Sequence, residues 1–226
     1  MLKVTIIITN YNLSKYIGTC IRSCLNQSLS KELYEIIIVD DKSTDNSLEV
    51  IGEFQKNNDN IKLIALNENK GVSYASNVGI KRSQAPYVIR VDADDYINEN
   101  MLLFFSEILS WNPDVAFVYG DIYTVSEMGE KLERVRLNII DNLYNHGAGI
   151  MFRKSCLEAV GLYDTEIKNC EDFDLIKRLF KNFDGHYLKL PLYRYRRHDN
   201  NMTNDIDSRE KWKTIVNEKH SAGDET

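Results

Sequence analysis

The sequence lacks an apolar run of the roughly 20 residues that a membrane-spanning helix needs. The apolar stretch before Asn10 is short and has no small-residue cleavage site after it, so it predicts a first strand and not a signal peptide. These absences predict a protein without a transmembrane segment, located in the cytoplasm. Peripheral contact with the inner face of the membrane stays open.

An excess of positive charge is also missing. The chain has 28 Lys and Arg against 34 Asp and Glu, a net charge of -6 and a pI of about 5.3. This balance provides no global basic field for nucleic acid or anionic lipid, and no nucleic-acid partner is expected. A phosphate-bearing ligand must therefore be held locally, by a metal, an arginine or backbone N–H groups.

Cysteine is scarce and shows no metal-binding pattern. The four cysteines have neither CxxC nor Cys/His spacing, so we expect reduced thiols. Cys20 and Cys24 lie four residues apart on one face of a predicted helix, which indicates core packing.

The chain does contain a regular alternation of strand and helix patterns. At 226 residues and 43% hydrophobic composition, it suits one domain, residues 1–226. Strands are predicted at "VTIIIT", "YEIIIVDD", "IKLIAL", "YVIRVDADD" and "DVAFVYGD", with helices between them. This order predicts an α/β fold with a mostly parallel sheet covered on both faces. Ligands of such sheets bind beyond the carboxyl ends of the strands, so the polar clusters there should converge.

The pattern loosens after about residue 122. The sequence predicts a hairpin at "SEMGEK", a helix from Lys154, a helix opening at "NCEDFDL", and strands at "GHYLKL" and "LYRYRRH". We therefore divide the domain into an α/β half, residues 1–121, and an α+β half, residues 122–203. Residues 204–226 are interpreted as a polar, mobile tail.

Three carboxylates crowd the end of the fourth predicted strand, at Asp92, Asp94 and Asp95. Oxygen ligands on a strand-end loop suit Mg²⁺ or Mn²⁺, which bind one or two carboxylates together with substrate phosphate oxygens. The charge of the metal would make the crowding tolerable. A solvated acidic turn is the alternative.

A second acidic cluster, "VDDKSTDNS", follows the second predicted strand. A carboxylate of Asp40 or Asp41 can accept a hydrogen bond from a base N–H or a ribose hydroxyl. Asp45 or Ser43 would cap the next helix, and Ser14 would cap the first one. Nucleotide binding and capping can coexist in one turn.

Five stretches together resemble the inverting glycosyltransferases of family 2, which have the GT-A fold: "TIIITNYN", "EIIIVDDKSTDNS", "NENKGVSYASNVGI", "VDADD" and the later "ED". Their order and spacing match over residues 4 to about 200. The resemblance implies that the nucleotide site comprises Thr9, Tyr11, Asp41, Lys70, Gly71 and Asp92, with Asp41 facing the uracil N–H.

The same resemblance implies that residues 1–121 form the nucleotide-sugar-binding half and residues 122–203 the half that contains the acceptor site and the catalytic base. Asp172 falls where the family has its catalytic base, while Glu171 and Asp174 are interpreted as helix-capping residues. Asp94 matches the metal-binding position, with Asp95 as an additional or alternative ligand. The segment "YRRHDNNMT" implies His198 as a metal ligand and Arg196 and Arg197 as phosphate-binding residues.

The implied activity is metal-dependent, inverting transfer of a sugar from a nucleotide-diphosphate donor, expected to be a UDP-sugar, to a hydroxyl acceptor. Glycans or lipid-linked glycans of surface polysaccharides are the implied acceptors. The sequence lacks the QxxRW signature of processive synthases. Three alternatives stay open: a sugar-nucleotide nucleotidyltransferase, whose glycine-rich loop is missing here, a phosphoacceptor receiver-like domain, and an inactive sugar-nucleotide-binding module.

Overall fold

Runs of β-branched residues form the first four strands. In the computed structural model, which describes residues 1–137, 143, 147 and 149–222, these are β1 (Val4–Asn10), β2 (Tyr34–Asp40), β3 (Ile61–Ala65) and β4 (Tyr87–Asp92). Every residue of β1 and β2 is buried. Burial of both strand faces explains the uninterrupted apolar runs within these strands, residues 6–8 of β1 and 36–39 of β2.

The later strands are more varied, and helices connect the set. The strands are β5 (Tyr96–Ile97), β6 (Val115–Val125), β7 (Lys131–Val135), β8 (Met151–Arg153) and β9 (Asp184–Arg196). The helices are α1 (Ser14–Leu25), α2 (Ser47–Gln55), α3 (Val72–Arg82), α4 (Met101–Trp111), α5 (Lys154–Ala159), α6 (Glu171–Asn182) and α7 (Ile206–Ala222). Among the helices of the described residues, none is both long and apolar enough to cross a bilayer.

All of these strands belong to one sheet. Its order is β3-β2-β1-β4-β8-β6-β9-β5, with β7 paired to β6. The first four strands are parallel, whereas β8 is antiparallel to both β4 and β6. Consequently β6 runs in the direction of β4 without being paired to it. The predicted α/β fold with a mostly parallel sheet is confirmed, although β8 separates the fifth predicted strand from the fourth.

Helices cover both faces of the parallel part. Ile36 and Ile38 of β2 belong to the main core, whereas Ile37 packs with Ala75 of α3 on the opposite face. A Cβ at Gly79 of α3 would lie 2.5 Å from Ile7 Cγ2, so glycine permits the close approach of helix and strand. The predicted core positions Cys20 and Cys24 are fully buried.

In the second half, one strand prediction is wrong and the hairpin prediction is confirmed. The strands predicted at "GHYLKL" and "LYRYRRH" form one strand, β9, whose pairing with β6 shifts register around Pro191. Proline lacks a backbone N–H, and within a sheet it is tolerated at such an irregularity. The predicted hairpin is confirmed, since β6 pairs with β7 and Gly129 N donates to Ser126 O.

The predicted polar tail is also wrong over most of its length. Residues Ile206–Ala222 form α7, and Val216 of this helix is fully buried with Ile167 and Phe173. Most residues of α7 are polar, and Trp212, Ile215 and Val216 form only a short apolar group at helical spacing, so the sequence pattern of a helix is weak. Packing against α6 determines the structure of this segment.

Candidate active site

A cavity of about 470 Å³ lies at the carboxyl ends of the parallel strands. This volume lies within the range of small-molecule sites. The polar clusters predicted to converge do meet here. The candidate residues that line it are Thr9, Tyr11, Asp41, Gly71, Asp92, Asp94 and Asp172.

Asp41 anchors one end of the cavity. Its carboxylate is 4% exposed and accepts hydrogen bonds from the backbone N–H groups of Lys70 (2.8 Å) and Gly71 (2.7 Å). Gly71 precedes α3 with φ of +86°, a left-handed conformation that favours glycine. The N-terminus of α3 is therefore oriented towards a carboxylate of the protein itself.

Asp45 connects two helices behind this end. Its Oδ1 accepts a hydrogen bond from Ser47 N at the start of α2, and its Oδ2 accepts one from Ser14 N at the start of α1. Asp45 thus satisfies one first-turn N–H group of each helix, although the N-cap positions are Asn46 for α2 and Leu13 for α1, and Ser14 is not the predicted cap. Ser43 instead bonds Asp40, with a distance of 2.6 Å between Oγ and Oδ1.

The strand-end acids separate into different environments. Asp94 lines the cavity. Asp95 is 1% exposed and does not line the cavity. Its carboxylate instead accepts hydrogen bonds from the Tyr193 hydroxyl and from Arg196 N, both at 2.7 Å. Burial, followed by the charges of Asp94 and Asp92, raises the pKa of Asp95 well above its usual range. Asp95 therefore ties the turn to β9.

Asp94 is paired with His198. The distance between His198 Nε2 and Asp94 Oδ2 is 2.9 Å, and Asn201 Nδ2 lies 3.4 Å from the same oxygen. The ring of Tyr16 stacks on His198 with a centroid distance of 4.8 Å. We call Asp94, His198 and Asn201 the His198 cluster.

Like Asp95 and His198, three further predicted ligands do not line the cavity. Arg196 is buried, and its guanidinium donates to the carbonyl oxygens of Asp94 (2.7 Å) and Glu127 (2.5 Å). Arg197 is exposed and lies over the Tyr195 ring. Lys70 pairs with Glu68 at 2.7 Å. The structure thus brings Arg196 next to the acidic turn but does not orient these three cations into the cavity.

An arginine in β4 joins the acids of the two halves. Arg90 Nε lies 3.1 Å from Asp92 Oδ1, Nη1 lies 3.2 Å from Glu171 Oε1, and Nη2 lies 2.8 Å from Asp172 Oδ2. The Arg90 side chain is 7% exposed. We call Arg90, Asp92, Glu171 and Asp172 the Arg90 cluster, in which three carboxylates share one guanidinium.

The crowding perturbs the acids of this cluster. Burial raises the pKa of Asp92 to about 6, and the charges of Asp94 and Asp172 add to this against the lowering effect of Arg90. Burial and the charge of Asp172 raise the pKa of Glu171 to about 7. Such shifts are typical of functional sites.

Sequence reasoning missed Arg90 and misassigned its neighbours. A charged residue within the otherwise apolar "YVIRV" requires buried partners, and this signal could have identified it. Glu171 and Asp174 were interpreted as caps, but Glu171 pairs with Arg90. Asp174 is fully buried and pairs with Arg178 and Lys219, as well as with His220. The interpretation of these two acids as capping residues is therefore wrong.

The helix missed at the end of the chain also contributes to the cavity. Arg209 and Lys213 of α7 line it, as does Lys168, which precedes α6. No group of three or more His, Cys, Asp and Glu side chains within the described ranges is arranged to hold a metal ion. Asn10 Oδ1 and His198 Nδ1 are buried without a hydrogen-bond partner.

Comparison with known proteins identifies relatives of this arrangement. The chain is 35% identical over 201 residues to a dolichyl N-acetyl-α-D-glucosaminyl phosphate 3-β-D-2,3-diacetamido-2,3-dideoxy-β-D-glucuronosyltransferase of Methanococcus voltae, with 82% of this chain and 61% of the relative covered. It is 32% identical over 178 residues to a poly-β-1,6-N-acetyl-D-glucosamine synthase of Staphylococcus epidermidis, with 73% and 42% covered. The chain therefore spans less than two thirds of the length of either relative.

The fold has a counterpart among solved structures. The crystal structure of S. aureus TarS 1–349 in complex with UDP-GlcNAc superposes with a TM-score of 0.78 at 23% identity, over 90% of this chain and 61% of that one. This likeness supports the GT-A fold expected from the sequence. Residues 5–161 match the family described as glycosyl transferase family 2. The chain belongs to that family.

Proposed function

We propose that the protein transfers a sugar from a UDP-sugar to a hydroxyl group of a glycan or lipid-linked glycan acceptor, with inversion at the anomeric carbon. The observation that carries this proposal is that Asp94 and Asp172 line the same cavity. Asp92 interacts electrostatically with both. A site for the leaving diphosphate and a candidate base therefore belong to one pocket, which favours catalysis over an inactive binding module.

The uridine would bind at the Asp41 end. Asp41 offers carboxylate oxygens to the uracil N–H, and Asn10 Oδ1, which has no partner, offers a second acceptor. The backbone N–H groups of Lys70 and Gly71 already donate to Asp41. The UDP-GlcNAc named in the TarS structure supports a UDP-linked donor.

The residues of the His198 cluster fit a divalent cation. The Asp94 carboxylate is a ligand type that suits Mn²⁺ or Mg²⁺, and His198 Nε2, which lies 2.9 Å from Asp94 Oδ2, would supply a nitrogen ligand. Asp94 and His198 would hold the ion, while Asp95 is committed to Tyr193 and Arg196. The ion would supply positive charge to stabilise the departing diphosphate.

Asp172 would act as the general base. Its side chain is 18% exposed, and Arg90 holds its Oδ2 at 2.8 Å, which fixes the orientation of the carboxylate. The acceptor hydroxyl loses its proton to Asp172 while its oxygen attacks the anomeric carbon. The bond to the diphosphate breaks on the opposite face, so one displacement inverts the configuration.

Calorimetric titration with UDP, in Mn²⁺ or Mg²⁺ and in EDTA, tests the donor site. UDP should bind appreciably only with the metal, and Asp94→Ala should remove the effect of the metal. Asp59→Ala, at an exposed turn outside the cavity, is the matched control and should bind like the wild type. Equal UDP affinity in EDTA, or displacement of UDP by an equal concentration of GDP, would contradict the assignment.

A further inference from the structure

Three cations border the cavity and have no part in the mechanism above. Lys168, Arg209 and Lys213 all line the cavity together with Asp172. Lys168 lies four residues before Asp172, and Arg209 and Lys213 lie four residues apart on α7, so the two side chains project from one face of that helix. We call these three residues the basic rim.

Tertiary contacts hold the two segments of the basic rim side by side. Asn169 Nδ2 donates to Ser208 Oγ at 3.3 Å, and the distance between Cys170 Sγ and Arg209 O is 3.7 Å. Behind these contacts, Val216 packs with Ile167 and Phe173. The cations are therefore positioned by a packed interface between α7 and the start of α6.

The basic rim concentrates positive charge at the cavity, although the net charge of the whole chain is -6. The Lys168 ammonium donates to Thr165 O at 2.8 Å, and Lys213 pairs with Glu210 at 3.2 Å. Glu210 is 68% exposed, so water screens this pair. A lysine ammonium has three N–H donors, and Lys168 and Lys213 each retain donors for an incoming anion.

The basic rim belongs to the acceptor side of the cavity. The diphosphate of the donor is assigned to the His198 cluster, whose members come from the β4 turn and the segment after β9. The basic rim adjoins Asp172 through Lys168 and the start of α6, while Arg209 Nη1 also donates to Thr203 O at 3.4 Å, next to the segment that contains His198 and Asn201. An anion held there would lie beside the base.

We propose that the acceptor is anionic and carries a phosphate group, which the basic rim binds while the acceptor hydroxyl reaches Asp172. Two ammonium groups and a guanidinium suit a tetrahedral oxyanion. The proposal rests on the proposed function, because the acceptor side is defined by Asp172 as the base.

The test uses sn-glycerol 3-phosphate and glycerol as probes, titrated into the protein saturated with UDP and Mg²⁺ and followed by ¹H–¹⁵N NMR. Glycerol 3-phosphate should bind, whereas glycerol should not. Lys168→Glu/Lys213→Glu should weaken this binding roughly tenfold or more, since an exposed charge pair contributes up to about fivefold. The control Lys31→Glu/Lys56→Glu changes the net charge equally at exposed positions outside the cavity and should bind like the wild type.

The affinity for UDP separates the two proposals. Absence of UDP binding by the wild type would contradict the proposed function itself. If UDP binds but displaces glycerol 3-phosphate, or if the Lys168/Lys213 variant loses UDP affinity, the basic rim serves the donor and the anionic acceptor is wrong. If both double variants weaken glycerol 3-phosphate binding equally, the effect of charge is non-specific, and this result would also overturn the proposal of an anionic acceptor. Wild-type UDP affinity in the variants reports an intact fold.

Discussion

The two ends of the cavity hold their carboxylates by different means. At the first, Asp41 accepts hydrogen bonds from the neutral backbone N–H groups of Lys70 and Gly71. At the second, Asp92, Glu171 and Asp172 share the single guanidinium of Arg90. The first arrangement satisfies its charge locally at a helix N-terminus. The second concentrates more negative charge than its one cation offsets.

This difference indicates where the molecule retains unfavourable electrostatics. A structural carboxylate is well served by backbone donors, as at Asp41. The acids of the Arg90 cluster are instead crowded and buried, and the pKa values of Asp92 and Glu171 rise to about 6 and about 7. Crowding of this kind persists where chemistry requires the groups. Substitutions at the two ends should therefore separate stability from activity.

The largest effect is expected at Asp172. Asp172→Asn preserves size and hydrogen bonding but cannot accept a proton, so sugar transfer should fall by about 10²–10⁴-fold. Because the substitution removes one carboxylate from a crowded cluster, the free energy of unfolding should not fall. Transfer rates with a UDP-sugar and urea unfolding measure the two quantities.

The control for this prediction is UDP affinity, which should be nearly unchanged in Asp172→Asn. NMR of the product should show that the anomeric configuration of the donor has been inverted. Transfer by the variant at the wild-type rate, or a product that retains the configuration, would contradict the role of Asp172.

The next largest effect is expected at Arg90, and it concerns the fold. Arg90→Met leaves three buried or partly buried carboxylates without their shared cation, and removing one partner of a buried ion pair costs about 3–5 kcal/mol. The loss should be smaller at pH 5.5 than at pH 8, because protonation of Asp92 and Glu171 relieves the repulsion. Urea unfolding at the two pH values checks this.

Arg90→Lys is the matched control, because it retains the charge but cannot contact three carboxylates with one planar group. It should recover part of the stability while the transfer rate stays low, since the orientation of Asp172 is lost. If Arg90→Met unfolds at the same urea concentration as the wild type at pH 8, the cluster does not depend on Arg90.

The two ends also differ in how far the sequence predicts them. The β1–β4 strands are apolar runs followed at once by polar residues, so their parallel arrangement and the convergence of Asp41 and Asp92 follow from local pattern. The Arg90 cluster joins residues 81 and 82 positions apart. No local pattern specifies which acid an arginine in a buried strand will meet, although its burial could have been inferred.

Helix α7 shows the other limit of sequence reasoning. Its polar composition resembles a tail, and its position is determined by tertiary contacts, among them the pairs of Lys219 and His220 with the buried Asp174. The basic rim could therefore not be predicted from the sequence alone. Asp95 could not be separated from Asp94 by spacing alone, since only the path of β9 shows that Tyr193 and Arg196 bind Asp95.

The smallest effect, opposite in sign at the two ends, is expected from removing one negative charge from each. Burial and the charge of Asp172 raise the pKa of Glu171 from 4.5 to about 7 in the folded protein, so the folded state binds more protons than the unfolded state between these values. The contribution of Glu171 to stability therefore falls as the pH rises from about 4.5 to about 7. Glu171→Gln removes this dependence, and above pH 7 it should be more stable than the wild type by up to about 3 kcal/mol.

Asp41→Asn should instead lower stability by about 1–2 kcal/mol, because an amide offers one acceptor oxygen to two backbone donors. Urea unfolding of both variants from pH 4.5 to pH 8 measures the difference. A Glu171→Gln variant whose stability follows the pH dependence of the wild type would show that Glu171 is not the group that titrates.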